Sequence, residues 1–95
     1  MAAYLIVDIE IRDAERYAEY VKVVPATIAL YGGKYIVRGG RAERLEGDWT
    51  PKRVVVLEFP TYGRAREWWS SQDYHGPKVL RQAASVANMI LVEGI

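Results

Sequence analysis

The run Arg53-Val54-Val55-Val56-Leu57-Glu58-Phe59 limits what this chain can become more than any other stretch of it. Consecutive β-branched and aromatic side chains fit a central strand covered on both faces, and Pro60 ends it. A second strand reads from Tyr4 to Ile11, where Leu5, Val7, Ile9 and Ile11 face one way and Tyr4, Ile6, Asp8 and Glu10 the other. At 95 residues the chain has room for one core, so residues 1–95 are read as a single domain and any site lies on it or between copies of it.

The segments between these strands supply the rest. Asp13 can cap a helix in which Tyr17, Val21, Val24, Ile28 and Tyr31 recur at steps of four and three, a buried stripe that Gly32-Gly33 stops. Pro25 interrupts that stripe and cannot donate a backbone hydrogen bond, which predicts a kink or a second short helix there. Lys34 to Arg38 reads as a short strand ending in Gly39-Gly40, with Ala42 to Glu46 as its continuation past a bulge or bend and a turn at Gly47-Asp48. Thr61 caps a helix carrying Ala65, Trp68 and Trp69. After a break near Ser70-Ser71 a second helical piece runs from Tyr74 to Ser85, with Pro77 in its first turn, and Val86 to Glu93 is the last strand.

This order matches a ferredoxin-like βαββαβ fold of the α+β class: a four-stranded antiparallel sheet, first and third strands central, helices on one face. Leu5, Val7, Ile9, Val55, Leu57 and Phe59 would meet the helices. The opposite face, with Tyr4, Ile6, Val54 and Val56 among Asp8, Glu10 and Glu58, is too apolar for water, and a second copy of the chain is expected to cover it.

Composition removes several function classes. Thirteen basic against 12 acidic side chains leave a net charge of +1, which gives no electrostatic footprint for nucleic acid. The absence of cysteine excludes thiolate nucleophiles, Cys-ligated zinc and iron–sulfur clusters, and the chain needs no oxidising compartment. Met1-Ala2-Ala3-Tyr4 lacks the charged start of a signal peptide, and no apolar run approaches the roughly 20 residues of a membrane helix. The expected location is the cytoplasm, with neither nucleic acid nor membrane as a partner.

Gly32 to Gly40, Leu45-Glu46-Gly47, Arg53 to Pro60, Trp68-Trp69-Ser70-Ser71 and Asp73-Tyr74, taken in order over nearly the whole chain, resemble the bacterial domain-of-unknown-function family 1330. The resemblance implies the dimeric α/β-barrel superfamily, in which two ferredoxin-like sheets pack together and leave a small cavity in each protomer. It also implies relatives that range over cofactor-free monooxygenases, muconolactone-type isomerases, haem-handling enzymes and plain ligand binders, so the fold chooses no chemistry.

The residues supply candidates. His75 is the only histidine and the natural group for proton transfer at neutral pH, although a surface residue near a helix start is the plainer reading. With no second histidine and no cysteine, no metal site is expected. Asp8 and Glu58, on the central strands, read either as general bases raised by desolvation and mutual repulsion or as ion-pair partners of Arg38 or Arg53. Arg38 and Arg81 each have the forked geometry to hold a substrate carboxylate, Arg81 from a helix that could face solvent; a structural salt bridge is the plainer role for both. Trp49, Trp68, Trp69, Tyr35 and Tyr74 offer aromatic surface to a flat ligand, or else core and interface.

The reading that results is a homodimer whose cavities bind a small organic molecule and isomerise or oxygenate it without a tightly held cofactor. The competing class is a non-catalytic small-ligand-binding or stress-associated module. In the enzyme reading His75, Glu58 and Arg38 are catalytic, and Asp8, Tyr35, Trp68, Tyr74 and Arg81 contact the ligand. The site would lie between the sheet and the helical break at Ser70 to His75, with Arg38 and Glu58 reaching in from the strands.

Overall fold

The alternation along the two central strands becomes alternating burial. In the computed structural model, which describes residues 1–95, β1 (Ala3–Ile11) buries Ala3, Leu5, Val7 and Ile9, and β3 (Val54–Phe59) buries Val55, Leu57 and Phe59. The two pair antiparallel, with Leu5 opposite Leu57 and Val7 opposite Val55. β2 (Lys34–Arg38) flanks β3 and β4 (Ser85–Glu93) flanks β1, giving an open, all-antiparallel sheet in the order β2-β3-β1-β4. Three helices, α1 (Ala14–Leu30), α2 (Tyr62–Ser70) and α3 (Gln72–Ala84), complete the α+β ferredoxin-like arrangement. None is long and apolar enough to cross a membrane.

Asp13 caps α1 as expected, its side chain accepting from the Arg16 amide at 3.2 Å, and Thr61 does the same for α2 through Arg64 at 3.1 Å. Pro25, however, neither ends α1 nor starts another helix. The buried face of Tyr17, Tyr20, Val24, Thr27 and Ile28 holds the helix onto the sheet, and that packing outweighs one missing hydrogen bond. At the exit of α1 the chain passes so close to the core that a Cβ on Gly33 would lie 2.6 Å from the Phe59 ring, so only glycine fits.

Two further boundaries differ from the sequence reading. Residues 42–46 form no strand, because β3 begins at Val54 and leaves nothing for β2 to pair with once the Gly39 amide has bonded the Val54 carbonyl at 2.8 Å. α3 begins at Gln72, before Tyr74, because Ser71 serves both neighbours. Its hydroxyl donates to the Trp68 carbonyl at 2.8 Å and accepts from the Tyr74 amide at 3.1 Å, closing α2 and opening α3. Pro77 therefore stands beyond the first turn, in the helix interior.

Trp68 is the hub of the core and is fully buried. Its ring stacks on Tyr74 with centroids 3.8 Å apart, lies 5.6 Å from Phe59, and its indole N–H donates to the Thr27 hydroxyl at 3.0 Å. Trp68→Ala should lower unfolding free energy by about 3–5 kcal/mol in urea denaturation; an unchanged midpoint would contradict this packing.

Candidate functional site

A single irregularity in an edge strand builds the site. Strict alternation would put Arg38 on the same side as Lys34, away from the helices. Between Tyr35 and Val37 the register against β3 shifts, so that Tyr35 opposes Leu57, Val37 opposes Val56 and Arg38 opposes Val55. The bulge turns both Tyr35 and Arg38 to the helix side. Arg53 shares the parity of Val55 and Leu57 and arrives on that side too. Gly39, at φ +70°, makes room for it: a Cβ there would strike the Arg53 guanidinium.

These residues line a cavity between the sheet and α1. Its walls are apolar, from Val7, Ile9, Val24, Ile28, Val55 and Leu57, and its polar groups come from Tyr17, Tyr20, Tyr35, Arg38, Arg53 and Arg81. The room inside is small, about 30 Å³ for the centres of water-sized molecules, enough for water or a small group and extensible only if side chains move.

The three arginines grade from rim to floor. Arg38 is exposed at the mouth, its guanidinium 4.5 Å over the Tyr35 ring. Arg53 is half-buried, 6.0 Å from the Tyr17 ring, and its buried Nε has no hydrogen-bond partner. Arg81 is 4% exposed and its Nε donates to the Tyr74 hydroxyl at 3.2 Å. None of the three takes part in an ion pair; the chain's five salt bridges lie elsewhere. Desolvating a guanidinium costs several kcal/mol, and a cation–π contact returns about 0.5–2. The cavity therefore holds uncompensated positive charge in apolar surroundings, where it can bind an anion or stabilise negative charge developing on a bound molecule.

The phenols are donors here. Burial pushes the Tyr20 hydroxyl far above its usual range, and the neighbouring Tyr74 adds to this. Burial also raises Tyr35, against the opposing pull of Arg38. Both stay protonated at neutral pH.

Of the residues singled out in the sequence, the fold brings Arg38, Tyr35, Trp68 and Arg81 to the cavity, with Tyr74 directly behind Arg81. Arg81 is buried, contrary to a solvent-facing placement. No residue from Ser70 to His75 lines this cavity, and the Trp68–Tyr74 stack packs the break instead. His75 points away from the core and is exposed on α3. Glu58 lies on the open face of the sheet, opposite Tyr4 in register and 3.4 Å from Lys34, and so does not join Arg38. Tyr17, Tyr20 and Arg53 were not singled out as ligand contacts; for Arg53 the signal was present in its parity with Val55, Leu57 and Phe59.

Asp8 also belongs to the open face, where it ties down a loop. Its carboxylate accepts from the Trp49 indole at 2.7 Å and from the Lys52 and Arg53 amides at 2.8 and 3.1 Å. Burial alone would raise this carboxyl, but those three donors and the Lys52 charge outweigh it and hold it below the usual range. That reverses the expected raised base, and the partners are an indole and two backbone amides rather than a guanidinium. A carboxyl held low in the folded state stabilises above its unfolded value of about 4, and the contribution is lost as pH falls through the lower folded value. Asp8→Asn should thus cost about 0.5–1.5 kcal/mol at pH 7, and the gap from the parent should narrow towards pH 3 in urea titrations. A gap independent of pH would count against the assignment.

The family model for DUF1330, a domain of unknown function, matches residues 2–95. No curated protein matches the sequence. Among solved structures the chain is similar to RPA0582, a protein of unknown function from Rhodopseudomonas palustris, at 21% identity and a TM-score of 0.80, covering 99% of this chain and 82% of that one. It is also similar to SnoaB, a cofactor-independent oxygenase from Streptomyces nogalater, at 10% identity and a TM-score of 0.67, covering 99% of this chain and 93% of that one. At such identities the likeness is one of fold.

Proposed function

The chain belongs to the DUF1330 family, and we propose that it takes a small organic molecule into the cavity beneath α1, as a homodimer whose sheets cover each other's open faces. The observation that carries the binding reading is the buried Arg53 Nε without a partner, on a side chain that lines an apolar cavity containing no carboxylate. Native proteins rarely leave such a donor unanswered, and a bound molecule would answer it. Thermal shift against a library of small acids and aromatics tests it. At least one compound should raise Tm by several degrees, and a library without effect would remove the reading.

The dimer is supported by the layer structure. The molecule measures 35 × 32 × 17 Å, one sheet and one layer of helices thick. On the uncovered face Ile90 is 60% and Val86 55% exposed, with Ile36 and Val92 also open to solvent and Ile6 and Val56 between them. An apolar surface of this extent, presented identically by two copies, fits a two-fold interface of standard size, about 1,600 Å² in total. Light scattering at micromolar concentration should give twice the chain mass of 10.8 kDa, and Ile90→Glu should shift it towards the monomer. A monomer mass for the parent would overturn the dimer.

A second reading, that of a cofactor-independent oxygenase, rests on the fold shared with SnoaB and on a cavity suited to stabilising a substrate that has lost a proton. In this reading the proton acceptor would come from the substrate or solvent, since no carboxylate or imidazole lines the cavity. Oxygen uptake with ionisable aromatic substrates, reduced at least tenfold in Arg53→Gln, would favour it over binding alone.

A further inference from the structure

We propose that the molecule taken by the cavity is a small organic acid, its carboxylate met by the guanidiniums of Arg53 and Arg81 with Arg38 at the mouth. This rests on the reading of the cavity as a ligand site and names the chemistry it selects.

The first ground is the hydrogen-bond inventory. The Tyr74 hydroxyl accepts from Arg81 Nε at 3.2 Å and lies 3.0 Å from the Tyr20 hydroxyl. Since the Tyr74 oxygen already accepts from Arg81, its own proton is best used towards Tyr20. That leaves the Tyr20 proton free to point into the cavity that Tyr20 lines. Thr27 offers nothing further, because its hydroxyl donates to the Val24 carbonyl and accepts from Trp68. The groups left over are the hydroxyls of Tyr20, Tyr17 and Tyr35, the unpartnered Arg53 Nε and the free guanidinium N–H groups, a set in which every member donates and only the phenol oxygens can also accept. A carboxylate, an acceptor with full negative charge, complements such a donor-rich cationic set; an amide or alcohol spends a donor where few acceptors stand and leaves the guanidinium charge unanswered.

The second ground is charge. Three guanidiniums converge on one cavity and no acidic side chain comes within ion-pairing distance of any of them. The two carboxylates of the central strands, Asp8 and Glu58, are already engaged on the other face of the sheet. The third ground is the wall. Apart from the three phenols and three guanidiniums the lining is apolar, which favours an acid with an apolar body, admitted as side chains move apart, over a bare inorganic anion.

The experiment is isothermal titration of the whole protein with matched pairs, propionate against propionamide and benzoate against benzamide, with inorganic phosphate alongside. An acid should bind at least tenfold more tightly than its amide, and phosphate should bind more weakly than that acid. Arg53→Gln, at a half-buried position that spares the core, should abolish the preference while circular dichroism stays unchanged. Arg81→Gln should do the same, and if it fails to fold, Arg53→Gln decides alone. An amide that binds as tightly as its acid overturns the organic-acid assignment and leaves the cavity reading standing, as does phosphate that outbinds every acid. An acid preference that survives Arg53→Gln removes the arginines from the site. No binding by any member of the panel, together with no thermal shift from neutral compounds, overturns the proposal and the cavity reading alike.

Discussion

Trp68 stacks on Tyr74 where α2 gives way to α3, and that pair ties the three helices to one another. Both rings are fully buried, so each polar atom they carry has to be answered inside the protein. The indole N–H goes to Thr27 on α1, and the Tyr74 hydroxyl meets Tyr20 on α1 and Arg81 on α3. Two side chains from α2 and α3 thereby hold α1 at fixed points along its length. An indole or phenol left unanswered would cost about 1–3 kcal/mol, so α1 cannot slide without penalty. The cavity is the space that remains between this tethered helix and the sheet.

The stack in turn depends on the break at Ser71. Residues six apart on an uninterrupted helix are rotated by about 240° and point to different faces. Trp68 and Tyr74 are six apart and nevertheless face each other, because Ser71 closes one helix and starts the next within a single residue. The serine does so with one hydroxyl that both donates and accepts. Here a local capping motif sets a tertiary contact. The contact then sets the depth at which Arg81 is buried.

What could be seen in the sequence was what is local. Alternation on β1 and β3 needs only neighbouring residues to decide inside from outside, and the Asp13 and Thr61 caps act within three residues of themselves. The misreadings all depended on a partner elsewhere. Pro25 reads locally as an interruption and Pro77 as a first-turn residue, yet packing and capping decide both helices. Residues 42–46 had the look of a strand but no strand to pair with. Asp8 had the right type and face, yet its partner Trp49 lies 41 positions away in a loop no periodicity describes. His75, the only imidazole, is exposed on α3, where the plainer surface reading put it and away from the cavity.

Arg38 shows why the site itself was hardest to see. Its side of the sheet is set by a one-residue register shift, which appears only when β2 is laid against β3. That shift helps sort the charges of the sheet into two populations. On the open face Asp8 and Glu58 are each answered, by loop donors and by Lys34; on the inner face Arg38, Arg53 and Arg81 have no acid to answer them. A net charge of +1 conceals this, because composition sums across a sheet that keeps the two sets apart. The near-neutral balance gives no sign of a strongly basic chain. It said nothing about positive charge concentrated inward, where a low dielectric makes each guanidinium count for more than it would in water.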